Sequence, residues 1–286
     1  MTALMDPIVI GMPEWEYHSH SALSSTELRL ILQPGGPARY RWAKDHPPIV
    51  APSKKFDLGT AVHSKVLGTG YEVAVIPAEI LAKNGAISTV AAKEFVEQAR
   101  ADGMVPLKQE ELEPIAAQAE AVLAHRTARA LFNQPGHAEA SVFAQDPETG
   151  VELRARFDFL PDLSLPRPVA LDLKTTASQA TPDEFGKAAI RYGYDVQEEH
   201  YLDDLDLSGA DGNRPQFAFV VVEKEPPYLV AVLQLPEVLR QRGRKRARRG
   251  RATYAECVRT GVWPGLSDDP QFVDVPNWVI YEEEEA

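Results

Sequence analysis

One cysteine, Cys257, in 286 residues excludes an internal disulfide framework and any four-cysteine zinc or iron–sulfur centre. It fits a reducing, cytoplasmic setting. Long apolar runs are missing as well. None reaches the ~18 residues of a membrane span, so no membrane is expected as a partner. Met1 to Gly11 has neither a basic start nor a long apolar centre, and a secretory signal is not expected. Positive charge is the third scarcity. Thirty Lys and Arg face 42 Asp and Glu, for a net charge of −12, which argues against a general nucleic-acid coat.

The distribution of that charge matters more than its sum. Arg240 to Arg251 holds eight of the thirty basic residues, leaving 22 against 42 acidic groups elsewhere. Such focused charge reads either as the solvated face of a helix or as a confined stripe for an anionic partner. Composition is otherwise that of a globular protein, 44% hydrophobic and 25% charged, and the length suffices for one large core.

Along the chain, residues 1–20 read as an extended lead-in. Ser24-Ser25-Thr26-Glu27 has capping-box spacing and predicts a helix carrying Leu28, Leu30, Ile31 and Leu32, stopping at Gln33–Pro37. A short helix with Tyr40 and Trp42 ends near His46. Phe56 to Leu67 reads as a helix with His63 near its middle, and Tyr71–Ile76 as a strand. Residues 88–102 and 108–132 read as two helices that form a helical insertion, about 77–135, within a single domain spanning 1–286. Strands are expected over Ala138–Gln145, Val151–Leu160 and 169–174, helices over Thr181–Tyr192 and Asp195–Leu207, and a hairpin over Gln216–Val222 and Tyr228–Leu235. Pro236–Gly261 reads as a long basic helix interrupted by Gly243 and Gly250. The tail 282–286 is acidic and solvated.

The chain is organised around Val169-Ala-Leu-Asp-Leu-Lys-Thr-Thr176. In a strand, Val169, Leu171 and Leu173 face a core while Asp172 and Lys174 share the opposite face. An acid and an ammonium side by side on a rigid element are what metal-dependent phosphodiester cleavage needs: the carboxylate holds a cation and the lysine serves the attacking water or the phosphate. For the bare motif a strand-end salt bridge is the bland reading and the one to be displaced by the surrounding residues. On the preceding strand Leu153, Ala155, Phe157 and Phe159 alternate with Arg154, Arg156 and Asp158, so an antiparallel partner would bring Asp158 beside Asp172. Two converging carboxylates repel unless a cation sits between them. Asp162, in the following loop, is a rival source of this acid. Glu139, one strand earlier, can reach the same place as an outer ligand or water-positioning base. His63 is the candidate imidazole, with Gly59 one turn before it permitting close backbone approach. Gln197 and Tyr201 lie at i and i+4, on one helical face. The bland readings are a structural helical histidine and an amphipathic helix.

In this order, His63, Glu139, Asp158, Asp172-x-Lys174 and Gln197-x-x-x-Tyr201 resemble the PD-(D/E)XK nuclease superfamily, and within it the exonuclease VIII branch of phages and prophages. Leu23–Leu28, Leu58–His63, Arg156–Phe159, Asp172–Thr176, Tyr194-Asp195, Pro227-Tyr228 and Gly261–Gly265 carry the resemblance from about residue 20 to 266, least across the insertion. It implies an α/β fold with a mixed central sheet flanked by helices. It further implies a Mg²⁺ or Mn²⁺ site with His63, Asp158, Asp172 and the Leu173 carbonyl as ligands, and Lys174 as the catalytic lysine. Glu139, Gln197 and Tyr201 complete the site, and Thr175 and Thr176 join it as DNA contacts. The chain departs from many relatives in carrying Asp rather than Glu two residues before the lysine. Imidazole ligation also leaves Mn²⁺ open.

The activity so implied is 5′-to-3′ exonuclease action on double-stranded DNA ends in the cytoplasm of a bacterial host. The product is a 3′ single strand for a RecT-like annealing partner, and the enzyme is a homo-oligomeric ring. Arg244, Lys245, Arg246, Arg248 and Arg249 are the candidate DNA-binding lining. A structure- or sequence-specific endonuclease of the same fold and a non-cleaving DNA-end-binding protein are the alternatives. An iron–sulfur nuclease is excluded by the single cysteine.

Overall fold

The computed structural model describes residues 7–46, 54–69 and 72–275. The acidic tail 282–286 and Tyr71, the expected start of a strand, lie outside the described residues. In chain order the elements are β1 (Ile8–Val9), α1 (Glu14–Ser19), β2 (Leu23–Ser24), α2 (Ser25–Ile31), α3 (Gly36–Asp45), α4 (Lys54–Leu67), β3 (Val73–Ile76), α5 (Val90–Ala101), β4 (Val105–Lys108), α6 (Gln109–Ala124) and α7 (Arg126–Phe132). There follow β5 (Gly136–Gln145), β6 (Glu152–Pro161), β7 (Val169–Thr176), α8 (Pro182–Tyr192), α9 (Tyr194–Leu207), β8 (Gln216–Glu223), β9 (Val230–Leu233) and α10 (Glu237–Thr260).

The central sheet is mixed and runs β1-β5-β6-β7-β8-β9, with β2 paired to β6. β5, β6 and β7 form an antiparallel meander. β7 and β8 are parallel, as the intervening α8–α9 crossover requires, and β9 returns antiparallel to β8. β8 is buried on both faces: Phe217, Phe219 and Val221 pack with Phe185, Ala189 and Leu202 of α8 and α9. Ala218, Val220 and Val222 pack with Val62, Ile115 and Val122 of α4 and α6. Near-continuous apolar sequence is the mark of such a strand.

The expected capping box is present. Ser24 Oγ accepts from Glu27 N–H, and the Glu27 carboxylate accepts from Ser24 N–H at 2.8 Å, a motif worth about 1 kcal/mol. Four features differ from the sequence expectations. The lead-in contains a helix, α1. The stretch 108–132 is two helices broken at His125, whose own ring caps the second by accepting from Ala128 N–H. Ile115, Ala119, Val122 and Ala128 of the expected insertion share a core with Leu171, Leu173 and Val220, so α6 and α7 belong to the main body. β4 joins the same core through Val105 and Leu107 and pairs with β3 in a separate two-stranded parallel sheet. Finally, α10 runs uninterrupted through Gly243 and Gly250. A Cβ at Gly243 would lie 2.1 Å from the Asp195 carbonyl oxygen, so this glycine serves the close approach of α10 to α9 rather than a break.

Candidate active site

The site arises where β6 and β7 part. Phe159 pairs with Leu171, and one step further the ladder opens. The Leu173 amide donates instead to Asp158 Oδ2 at 2.7 Å. In a strand a residue's N–H and C=O point to the same edge, so the Leu173 carbonyl also faces the gap. The alternation of β6 slips at the same place. Ala155 and Phe157 pack in the layer under α9 and Leu160 returns to it, whereas Phe159 packs in the opposite layer with Leu171. Asp158 sits at the slip, opposite Glu139, whose φ is 51°, an uncommon backbone state for a non-glycine residue. The simple alternation expected for Leu153–Phe159 therefore fails at the candidate acid.

Both helical layers reach into this gap. From α4, His63 Nδ1 donates to the Gly59 carbonyl at 2.8 Å, which turns Nε2 to Asp158 Oδ2 at 3.2 Å. From α9, Gln197 Nε2 donates to Asp172 Oδ2 at 2.5 Å. Lys174 forms an ion pair with Asp172 Oδ1 and lies over the Tyr194 ring, 4.8 Å from its centroid. Tyr201 is buried against Phe157, with ring centroids 5.1 Å apart.

The electrostatics follow from burial. Desolvation raises the pKa of Asp172, and the Asp158 charge adds to this against the pull of Lys174. Burial also opposes ionisation of Asp158, but His63, Lys174 and the Leu173 amide outweigh it and hold that carboxyl below its usual range. Burial disfavours the His63 cation, yet Asp158 and the Gly59 carbonyl raise its pKa to about 9. Glu139 is raised to about 7 by burial and by Asp158, while Arg156 pairs with it at 3.8 Å.

The site opens into a cleft of about 950 Å³. His63, Glu139, Asp158, Leu173, Lys174, Thr175 and Tyr201 all face it, while Asp172 and Gln197 stand behind its wall. Thr176 is not brought in; its hydroxyl accepts from Ser178 N–H at 3.0 Å in the turn after β7. Asp162 also lies apart, with its carboxylate capping Ser164 N–H. The lead-in contributes more than the sequence predicted. Gly11, Met12, Glu14, Tyr17 and His18 form one wall, held by Arg156 donating to the Met12 carbonyl and by the Arg154 and Arg156 guanidinium groups over the Tyr17 ring.

The basic run divides into two faces. Arg244 binds Glu199 at 2.9 Å and Arg246 binds Asp195 at 3.4 Å. Arg251 is clamped between Asp146 and Asp203. The acids of α9 thus hold Arg244 and Arg246, both of which remain partly exposed. Lys245, Arg248 and Arg249 are exposed and make no ion pair among the described residues. No residue of α10 lines the cleft; the helix lies behind α9.

Among the described residues no three His, Cys, Asp or Glu side chains already converge as a metal cluster. His63 and Asp158 meet, while Asp172 turns to Lys174 and Gln197. The donor chemistry nonetheless fits a hard divalent cation: two carboxylates, a backbone carbonyl and an imidazole. Asp172 Oδ1 is buried and, beyond its ion pair with Lys174, has no hydrogen-bond donor.

Residues 38–275 match the family described as a PDDEXK-like domain of unknown function, DUF3799. Among solved structures, a protein of Eubacterium rectale described as a "Putative exonuclease" is 13% identical, with 95% of this chain and 98% of that chain covered and a TM-score of 0.57. At that identity the likeness is one of fold. A phage related exonuclease from Haemophilus somnus 129PT is 12% identical over 86% of this chain and 99% of that chain, with a TM-score of 0.34, too distant in shape to carry weight. No curated protein matches the chain. No helix among the described residues is long and apolar enough to cross a membrane.

Proposed function

We propose, for a chain that belongs to the PDDEXK-like family DUF3799, that it is a divalent-metal-dependent deoxyribonuclease degrading duplex DNA from its ends. The observation that carries this reading is the opened β6–β7 ladder, where Asp158 accepts from the Leu173 amide and its charge acts on the buried Asp172, which pairs with Lys174. A structural salt bridge needs neither the second buried acid nor an opened ladder.

Asp158, Asp172, the Leu173 carbonyl and His63 would hold the metal. Bound there, Mg²⁺ or Mn²⁺ supplies a Lewis acid for the phosphate and an acidified water. Gln197 fixes the Asp172 carboxylate through Oδ2, which holds Oδ1 toward Lys174. Lys174, ionised because Asp172 and Asp158 outweigh its burial, hydrogen-bonds the attacking water and offsets charge growing on the phosphate. Glu139, with its pKa near 7, orders water at the outer edge. Tyr201 and the α1 wall border the cleft there. Thr175, which lines the cleft, contacts the DNA backbone there.

Polarity from 5′ to 3′, a RecT-like annealing partner for the 3′ strand and assembly as a ring complete the proposal. The acidic body and the exposed Lys245, Arg248 and Arg249 suit a protein that attracts phosphate along a confined surface. The reading is tested with linear duplex labelled at either the 5′ or the 3′ end, beside covalently closed plasmid, in Mg²⁺ or Mn²⁺. Release of label from 5′ ends first, with the plasmid intact, is the expected result. Nicking of the closed plasmid makes the protein an endonuclease, and retention of all label while DNA is bound makes it an end-binding protein.

A further inference from the structure

Lys174 is held from two sides. One partner is the Asp172 carboxylate; the other is the face of the Tyr194 ring, 4.8 Å from the ammonium. That ring is itself fixed. It stacks on Phe185 with centroids 5.7 Å apart and on Phe219 at 5.8 Å, and both are buried core residues. Its backbone is equally constrained. α8 ends at Gly193 with φ 71°, where a Cβ would lie 2.8 Å from Arg29 Cδ. Arg29 reaches past this glycine to donate to the Tyr192 carbonyl at 2.8 Å. The tight turn makes Tyr194 the first residue of α9 and brings Gln197 onto Asp172 one turn later.

Resting on the hydrolase reading above, we propose that Tyr194 is a positioning residue for Lys174, its ring face anchoring the ammonium in the cleft independently of the Asp172 carboxylate. An ammonium whose sole partner was Asp172 would follow that carboxylate wherever other ligands drew it. The ring attracts the cation through its quadrupole and carries no formal charge. Lys174 therefore keeps its direction when the carboxylate is engaged elsewhere. Tyr194 borders the cleft, and replacement by phenylalanine separates the part of the ring from that of the phenol.

The test uses the full chain, without metal or DNA, in ¹³C-lysine-labelled form. The Lys174 εCH₂ resonance, identified by its loss in K174M, is expected to be shifted upfield by the ring in wild type and in Y194F. It should return to the ordinary lysine position in Y194L and Y194M. In parallel, metal-dependent cleavage by Y194L and Y194M should lose about tenfold in kcat, with KM within about twofold, while Y194F recovers the activity; tenfold corresponds to one cation–π interaction of ~1.4 kcal/mol. A Lys174 resonance unmoved by Y194L, or an unchanged kcat, overturns the assignment. So does loss of the fold in both Y194L and Y194M, which would make the ring a core residue only. An intact upfield resonance in a wild type that cuts no DNA overturns instead the hydrolase reading on which the inference rests.

Discussion

Replacing Gln197 with alanine removes one hydrogen bond to a buried carboxylate. Gln197 Nε2 donates to Asp172 Oδ2 at 2.5 Å, with Gln197 5% exposed and Asp172 2%. A bond to a charged acceptor contributes about 1.5–3 kcal/mol, and its loss leaves a buried oxygen unsatisfied. Oδ2 loses its amide donor, so the carboxylate is free to rotate toward Lys174. If the fixed orientation of Asp172 is what the reaction uses, that energy appears as roughly a 10- to 150-fold loss in kcat/KM. Half-saturation by Mn²⁺ should shift to higher concentration at the same time, because a rotated carboxylate is a poorer ligand. The assay is release of label from linear duplex across a Mn²⁺ titration, with thermal melting to show that Q197A remains folded. A folded Q197A with rate and metal dependence within twofold of wild type would refute the reasoning and reduce Gln197 to a packing residue.

R251A, which leaves Asp146 and Asp203 without their shared cation, should lower unfolding free energy by about 3–5 kcal/mol. The triple change K245A/R248A/R249A should leave stability nearly unchanged and reduce the slope of log K against log salt by about 0.9 for each phosphate no longer neutralised. Denaturant titration and salt-dependent DNA binding separate the two sets, and an unchanged slope would remove DNA from the exposed face of α10. His200 is fully buried, and desolvation lowers its pKa from 6.5 to about 3, so the unfolded chain takes up a proton near pH 6.5 that the native protein refuses. Stability should accordingly fall as pH drops from about 6.5 toward 3, and H200Q should flatten that limb of the pH–stability curve; an identical limb in H200Q would place the acid sensitivity elsewhere.

How much of this could be read from the residues depends on whether the signal was local. The capping box at Ser24–Glu27, the helix around His63 and the order of β5, β6 and β7 rest on spacing and periodicity, and they appear in the structure as expected. α1 has six residues, no side-chain cap and Pro13 as its N-cap residue, so it left little trace. β4 has four residues, one of them Pro106, between two helices. The break at His125 depends on a histidine acting as a cap, outside the usual Ser, Thr, Asp and Asn. The slip at Asp158 is tertiary in origin, since it follows from the parting of β6 and β7 and from the backbone of Glu139.

Within the candidate site, the acids, the lysine and the glutamine could be named from their faces on strand and helix. The cleft wall formed by Met12, Glu14 and Tyr17 could not, because it depends on Arg154 and Arg156 reaching across from β6. The basic run was legible as charge but not as partnership. Asp195, Glu199 and Asp203 on α9 recur at helical spacing and form the face that Arg242, Arg244, Arg246 and Arg251 neutralise. Pairing these two helices in advance would have required knowing that Gly243 lets them touch.

The central claim is that the β6–β7 gap is a metal-dependent hydrolytic site in which Asp172 binds the metal and Lys174 serves the water. It is tested most directly by the initial rate of nucleotide release from linear duplex as a function of Mg²⁺ or Mn²⁺, for wild type and Asp172→Ala. The account predicts saturable, chelator-sensitive release by wild type and a loss of at least about 10³-fold in the variant, on the scale of removing a principal electrostatic contributor to catalysis. A wild type as inert as the variant, or a variant as active as wild type, would contradict it.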